Sequence, residues 1–504
     1  MPNMEGSYCA KGTGGLDSPP PMNTPQSPSA EFVNEGGATS PRMKQGLLER
    51  LLGRPERRTK VYGVVALGLF LLGMLAMGAR VKAKGDRFNF AVSDGEGYFV
   101  YLPSLVVDRD LDFSNNVDVT DFSDNTIPNF NTKTELGYLR NKYPIGFSLS
   151  VSPAYGVAHV LTVVGHAVLP SRIAKPDGFG VIYQVLTAGM VALFGFWAMV
   201  LADRTVVRSM TIDGRAVGLA VLLFWVGSHY MYYYARHPFM VHVVSGFWVT
   251  CVVYLWMDIR ERLREHELDW WQPLALCFCF TMAVVCRNTN VFILPLLIHL
   301  VWVTIREGMV EQLMRHFPLA LLGLVPMALQ MTVWHTMTGR WVTYSYGDEA
   351  FYWERPQLIR TLISSRHGLL SWAPLLILSF VGVALYLFGK QGRGKPLLWN
   401  LLVSFLLLWY VNSAWYAWSF GHAFGARAFL EISTLFIIGL AIYFDRVLRA
   451  GVFAKAATVG FVGLCFLVTY GLLAAYESKR IPRDDYLFEF ERPAAQESQP
   501  VLVR

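Results

Sequence analysis

Two carboxylates, Asp94 and Glu96, lie two residues apart in the glycine-flanked stretch Ser93-Asp94-Gly95-Glu96-Gly97-Tyr98. Glycine lets a backbone come close to a ligand, and a turn here would aim both acids the same way. A carboxylate partly withdrawn from water can act as a general base, and two together can hold a divalent cation. The competing reading is a solvated turn that caps a helix, with Ser93 or Asp94 as its N-cap.

Cations recur further along the chain: Lys142 before Tyr143-Pro144, Arg287 within Cys286-Arg287-Asn288-Thr289-Asn290, Arg366 and His367 before Gly368, and Arg427 after Gly425-Ala426. Arg287 carries most information, because it interrupts an apolar region where a guanidinium is costly without an anion. The phosphate of a lipid substrate is one such anion, held by bidentate contacts. A buried pair with a loop acid, or a side chain snorkelling to the interface, are the alternatives. His237 and His242 are five residues apart, off one helical face, and argue against a metal site. Asp108, Asp110 and Asp112 lack the glycine and terminal glutamate of a calcium loop.

What must position these groups is a membrane body. The 504 residues are 53% hydrophobic and only 16% charged, whereas a soluble chain carries about a quarter charged residues. The net charge of +7 does not indicate nucleic acid, since the basic residues fall in short loops between apolar runs. The expected fold is an all-α polytopic membrane protein. Residues 1–42, rich in Gly, Ser and Pro, read as a disordered cytoplasmic tail. The basic segment 43–60 places the N-terminus inside, and 61–79 is long enough to span a hydrocarbon core. Residues 80–144 follow as a long acidic outer loop. Within it Tyr98, Tyr101, Leu102, Leu105 and Val106 share one helical face, which suggests a short interfacial helix.

Further apolar runs bring the total to about twelve, with arginine-bearing loops between them on the inner side. An outer loop at 80–144 followed by two full crossings cannot deliver Arg204 to the inside. The run 145–169 contains Pro153, several serines and two histidines, and is expected to be a re-entrant or surface-lying pair of half-helices. About eleven crossings result, with the tail 476–504 outside; twelve crossings with the tail inside is the alternative. The second large outer loop is 339–367, and a third aromatic segment covers 415–427.

The first-loop Asp94-Gly95-Glu96-Gly97-Tyr98, followed by Lys142-Tyr143-Pro144, Arg287-Asn288, Ser365-Arg366-His367-Gly368 and Phe424-Gly425-Ala426-Arg427, resembles bacterial membrane glycosyltransferases of the GT-C class. The likeness is to the branch of protein O-mannosyltransferases and lipid A aminoarabinose transferases, and covers residues 61–475. It implies a bacterial inner (cytoplasmic) membrane location, with the site facing the periplasm or cell exterior. It further implies inverting transfer of a sugar from a polyprenyl-phosphate-linked donor to a lipid, glycan or protein acceptor. Asp94 matches the first-loop acid that serves as general base, and Lys142 and Arg287 match positions that hold the donor phosphate. Members often have adjacent Asp-Glu, whereas Gly95 intervenes here, so the role of Glu96 is open between assisting Asp94, orienting it and binding a cation. Tyr98, Arg366, His367 and Arg427 complete the expected substrate contacts. No organic cofactor is implied. A transporter or flippase of lipid-linked sugars would use the same cations without a base, and an assembly protein would leave the acids solvated.

Overall fold

The computed structural model describes residues 47–84, 88–119, 132–168, 175–347, 349–389, 392–488 and 491. The expected disordered tail 1–42, the end of the C-terminal tail, and the loop acids Asp121, Asp124 and Asp348 lie outside the described residues.

Among the described residues the chain is helical, with only isolated bridges such as Lys133 to Leu139 and Phe351 to Trp415. Nine of the described helices are long and apolar enough to cross a membrane, and Gly214–Gly227, Trp271–Cys286 and Leu376–Leu387 are shorter apolar helices. The protein is therefore a polytopic helical membrane protein.

Burial sorts these helices into centre and rim. In Arg427–Arg449 89% of the apolar window is buried, against 17% in Val452–Glu477. The rim helices keep Leu67, Leu71, Leu75, Val459 and Leu467 on the outside, as a surface solvated by lipid requires. The centre packs on small residues: Gly382 backs onto Gly439, and the Ser379 hydroxyl donates to the Phe436 carbonyl at 2.9 Å. Such close approach is how helices associate where no hydrophobic drive separates them from lipid.

Polar contacts distinguish the two ends of the bundle. At one end Arg58 donates to both oxygens of Asp203 at 2.6 and 2.9 Å, with the Tyr62 hydroxyl on the same carboxylate. Arg208 meets Asp258 and Glu261, Arg393 meets Glu261, and the Asp213 amide donates to Asp445. Arg58, from the basic segment 43–60, is thus buried in a structural pair. At the other end lie Asp94, Lys142, Arg366 and Arg427 with their partners.

Two expectations change. Residues 146–168 form one continuous helix, Gly146–Val168, and not a pair of half-helices. Pro153 cannot donate to the Leu149 carbonyl, but the Ser152 hydroxyl does so at 2.9 Å, so the helix continues through the proline. The breaks fall elsewhere, at Ser228–His229 between Gly214–Gly227 and Tyr230–Ala235, and at Ala373–Pro374 between Leu369–Trp372 and Leu376–Leu387. Finally, the first-loop helix does not lie on a surface. Asp94–Phe99 continues through Tyr101–Pro103 into a widened turn at Ser104–Asp108, and Tyr98, Phe99, Val100, Tyr101 and Leu102 are all buried.

Candidate active site

The helix Asp94–Phe99 is wedged between aromatic rings. Phe99 stacks on Phe239 with centroids 4.9 Å apart, and Tyr98 meets Tyr143 at 4.6 Å. A Cβ at Gly95 would press on Phe239, and one at Gly97 would enter the Tyr143 ring. The two glycines therefore admit protein aromatics rather than a ligand. Ser93, at φ 55°, occupies the N-cap position but its side chain makes no capping bond.

In this helix Asp94 and Glu96 are about 200° apart around the axis. They do not aim the same way, which corrects the turn expected from the sequence. Asp94 is half-buried. One of its oxygens meets Arg427 Nη2 at 2.7 Å and the other accepts from the Tyr143 hydroxyl at 2.7 Å. Burial pushes this carboxyl up, but Arg427, the Tyr143 hydroxyl and Lys142 together hold it below the usual carboxylate range. Glu96 is 9% exposed, and burial raises it to about 8. One acid is thus held ionised and the other neutral at pH 7. With both Asp94 oxygens engaged and Glu96 turned away, the two do not form a chelating pair for a divalent cation. Among the described residues no group of three or more His, Cys, Asp or Glu gathers as a metal site.

The cations converge around Asp94. Arg427 sits just after Gly425, whose φ of +70° turns the chain over Trp372 and His229. Its Nη2 also donates to the Phe420 carbonyl at 3.1 Å. Lys142 is bonded to Glu349 at 2.5 Å and lies over the rings of Tyr143 and Tyr346. Arg287 donates to Glu431 at 3.2 Å, and the same oxygen lies 2.8 Å from His242 Nδ1. The partner of Arg287 is therefore an acid from a central helix and not one from a loop. Its guanidinium also lines a cavity of about 130 Å³ with Asn288, Thr289, Tyr344, Tyr346 and Trp415. Both Arg287 and Arg427 act on the Tyr98 hydroxyl, so Asp94, Tyr98, Lys142, Arg287 and Arg427 share one neighbourhood.

Arg366 and His367 are committed elsewhere. Arg366 pairs with Asp484 at 2.8 Å and stacks near Trp418 and Tyr486. His367, at φ 64°, donates from Nδ1 to the Ser419 carbonyl, and burial lowers it to about 4. A neutral imidazole adds no positive charge at this position.

Sequence reasoning missed Glu431, Tyr143 and Tyr346 as site components. Glu431 had a signal: it is an acid near the start of an apolar run, a position that calls for a partner. The tyrosines had none beyond their place beside Lys142 and in an outer loop. A scan against protein-family models gives no match to this chain, and no curated protein matches its sequence.

Proposed function

We propose that this protein is a GT-C-like glycosyltransferase that moves a sugar from a polyprenyl-phosphate-linked donor to an acceptor on the outer side of the membrane. The observation that carries this reading is the ion pair of Asp94, from the first long loop, with Arg427, with the charge of Lys142 also acting on Asp94 and that of Arg287 acting on the neighbouring Tyr98. Asp94 is the general base: ionised, half-buried, and within reach of an acceptor hydroxyl that enters beside Arg427. Arg287, facing the aromatic cavity, meets the donor phosphate and eases its departure. Tyr98 and Tyr143 form the wall between them. Glu96 takes no direct part, because it is neutral and faces away.

The topology that fits this reading has eleven crossings. The helix Val181–Ser209 runs antiparallel to Pro55–Ala83, with Asp203 beside Arg58 and Gly189 beside Phe70. Val181 therefore starts at the end where the first long helix finishes. The turn before it touches the first loop, since Gly178 packs against Pro103 and its carbonyl accepts from the Tyr155 hydroxyl. On this reading Gly146–Val168 does not cross, which the position of Gly178 on the side of Asp94 supports. Residues 478–488 then lie on that side too, with the arginine-rich end of the bundle in the cytoplasm.

The test is transfer by purified Asp94→Asn protein, supplied with candidate polyprenyl-phosphate sugars. Activity should vanish while membrane insertion stays that of the parent and the variant still unfolds cooperatively, at a lower temperature because its pair with Arg427 is lost. Retained transfer would exclude Asp94 as the base, and sugar-lipid translocation without transfer would favour a flippase.

A further inference from the structure

A second and larger cavity, of about 270 Å³, lies across the chain from Asp94. Its lining includes Thr134, Arg140, Asn141, Trp334, Arg340 and Tyr344. Its wall toward Asp94 is the extended segment 141–143, pinned from both sides. Asn141 Nδ2 donates to the Gly97 carbonyl at 2.8 Å, the Tyr101 hydroxyl donates to the Tyr143 carbonyl at 2.8 Å, and the Ser345 hydroxyl donates to the Lys142 carbonyl at 2.9 Å. One stretch of chain thus separates this cavity from the hydroxyl that holds Asp94, and Tyr344 lines both this cavity and the one at Arg287.

The cavity offers unused donors. Thr134 is 9% exposed, and its buried hydroxyl has no hydrogen-bond partner. The half-buried Arg140 has no ion pair or side-chain hydrogen bond among the described residues, and its Nη1 lies against Gly347, where a Cβ would crowd it. Arg340 reaches Glu135 only at 3.9 Å, with both side chains mostly exposed, an arrangement that contributes little. Among the described residues the lining therefore holds two guanidiniums and one acid. Trp334 and Tyr344 supply flat faces, and Leu136, Trp341 and Val342, next in sequence to lining residues, are exposed.

We propose that this cavity is the docking subsite for the acceptor, and that it takes an anionic headgroup, phosphate or carboxylate, attached to a polar ring or chain. Arg140 and the Thr134 hydroxyl hold the anion, and Trp334 and Tyr344 cover the ring. Binding energy gained here, away from the reacting atoms, positions the acceptor hydroxyl at Asp94. The inference rests on the glycosyl-transfer reading for the name acceptor; the anion site itself does not.

The test uses the full-length protein in phosphatidylcholine nanodiscs, with glucose 1-phosphate, inorganic phosphate and glucose as probes and tryptophan emission as readout. Both anions should bind and glucose should not. Arg140→Gln should weaken anion binding by about tenfold or more, the loss expected for a hydrogen bond to a charged group. Arg340→Gln should weaken it less, and Trp334→Phe should remove most of the emission change. Unchanged anion binding in both arginine variants, or equal binding of glucose, overturns the proposal. Maleimide labelling of Thr134→Cys separates the sources of the headgroup. Slowing by phosphatidylglycerol in the disc points to a lipid-borne headgroup, slowing by glucose 1-phosphate alone points to a soluble one, and slowing by neither overturns the site. No turnover is needed, so failure of Asp94 as a base would leave this result standing. Failure here would leave Asp94 a base whose acceptor docks elsewhere.

Discussion

Arg427 Nη2 lies 2.7 Å from Asp94 Oδ2, joining the first long loop to the start of the most buried of the described membrane-length helices. This contact does two things to the acid. It fixes where the carboxylate points, and it keeps the proton off at any pH near neutrality.

The pH dependence of transfer follows from that contact. Because the Asp94 carboxyl is held below its ordinary value, the acid limb of kcat/KM that reports this group should fall below about pH 4, the usual carboxylate range. Its stabilising share is present above that range and lost as pH falls through the lowered value. Arg427→Gln removes one of the groups holding it down. The limb should move toward neutral pH and the rate at pH 7 should drop, read from the pH profile of kcat/KM. An unshifted limb would mean that Asp94 is not the titrating base.

Glu96 carries the opposite sign. Its folded value, about 8, lies above its ordinary 4.5 because it is buried, so the folded state takes up a proton that the unfolded state releases. No penalty exists below the ordinary value. Stability then falls as pH rises from there to about 8, by at most about 1.4 kcal/mol per pH unit. Glu96→Gln, which copies the neutral form, should match the parent near pH 4.5 and surpass it increasingly up to pH 8 in thermal unfolding. Transfer at pH 7 should survive, which also separates its role from that of Asp94.

The sequence made the membrane body and the first-loop acid legible, because both depend on local composition. Apolar runs bounded by arginines mark helices wherever they fold, and an acid after the first span stands out among apolar neighbours. The pairing of charges was not legible. Arg287 meeting Glu431, and Arg427 meeting Asp94, depend on which helices lie side by side. Pro153 misled for a specific reason: Ser152, one residue earlier, takes up the carbonyl that the proline leaves free. Asp94 and Glu96 misled because the glycines between and beside them suggested a turn, whereas the segment closes into a helix against Phe239 and Tyr143.

Glu431 should prove to be a positioning residue for Arg287. One oxygen serves both Arg287 and His242, while the other is buried without a partner. Glu431→Ala leaves Arg287 without its counter-ion, and breaking a buried pair this way costs about 3–5 kcal/mol. Glu431→Gln keeps one acceptor oxygen and should cost less. A role limited to stability would leave donor KM unchanged in the folded glutamine variant. A positioning role should raise donor KM there, with the pH profile set by Asp94 unaltered.

The C-terminal segment should act as a strap on the same side as the site. Asp484 pairs with Arg366, the buried Tyr486 lies under the Arg366 guanidinium, and Glu491 accepts from the Ser364 hydroxyl and the Ser365 amide. The connection continues inward, since His367 donates to the Ser419 carbonyl and the next carbonyl, Phe420, accepts from Arg427. Asp484→Asn removes only a partly exposed pair and should cost no more than about 1 kcal/mol. Truncation after Ser478 also removes the burial of Tyr486, worth about 1.5–3 kcal/mol for a large side chain. The truncated protein should unfold at lower temperature and transfer more slowly, because the segment holding Arg427 against Asp94 is no longer braced. If it transferred at the parent rate despite a lower unfolding temperature, the strap would serve the fold alone and the path through Ser419 and Phe420 would carry nothing to the site.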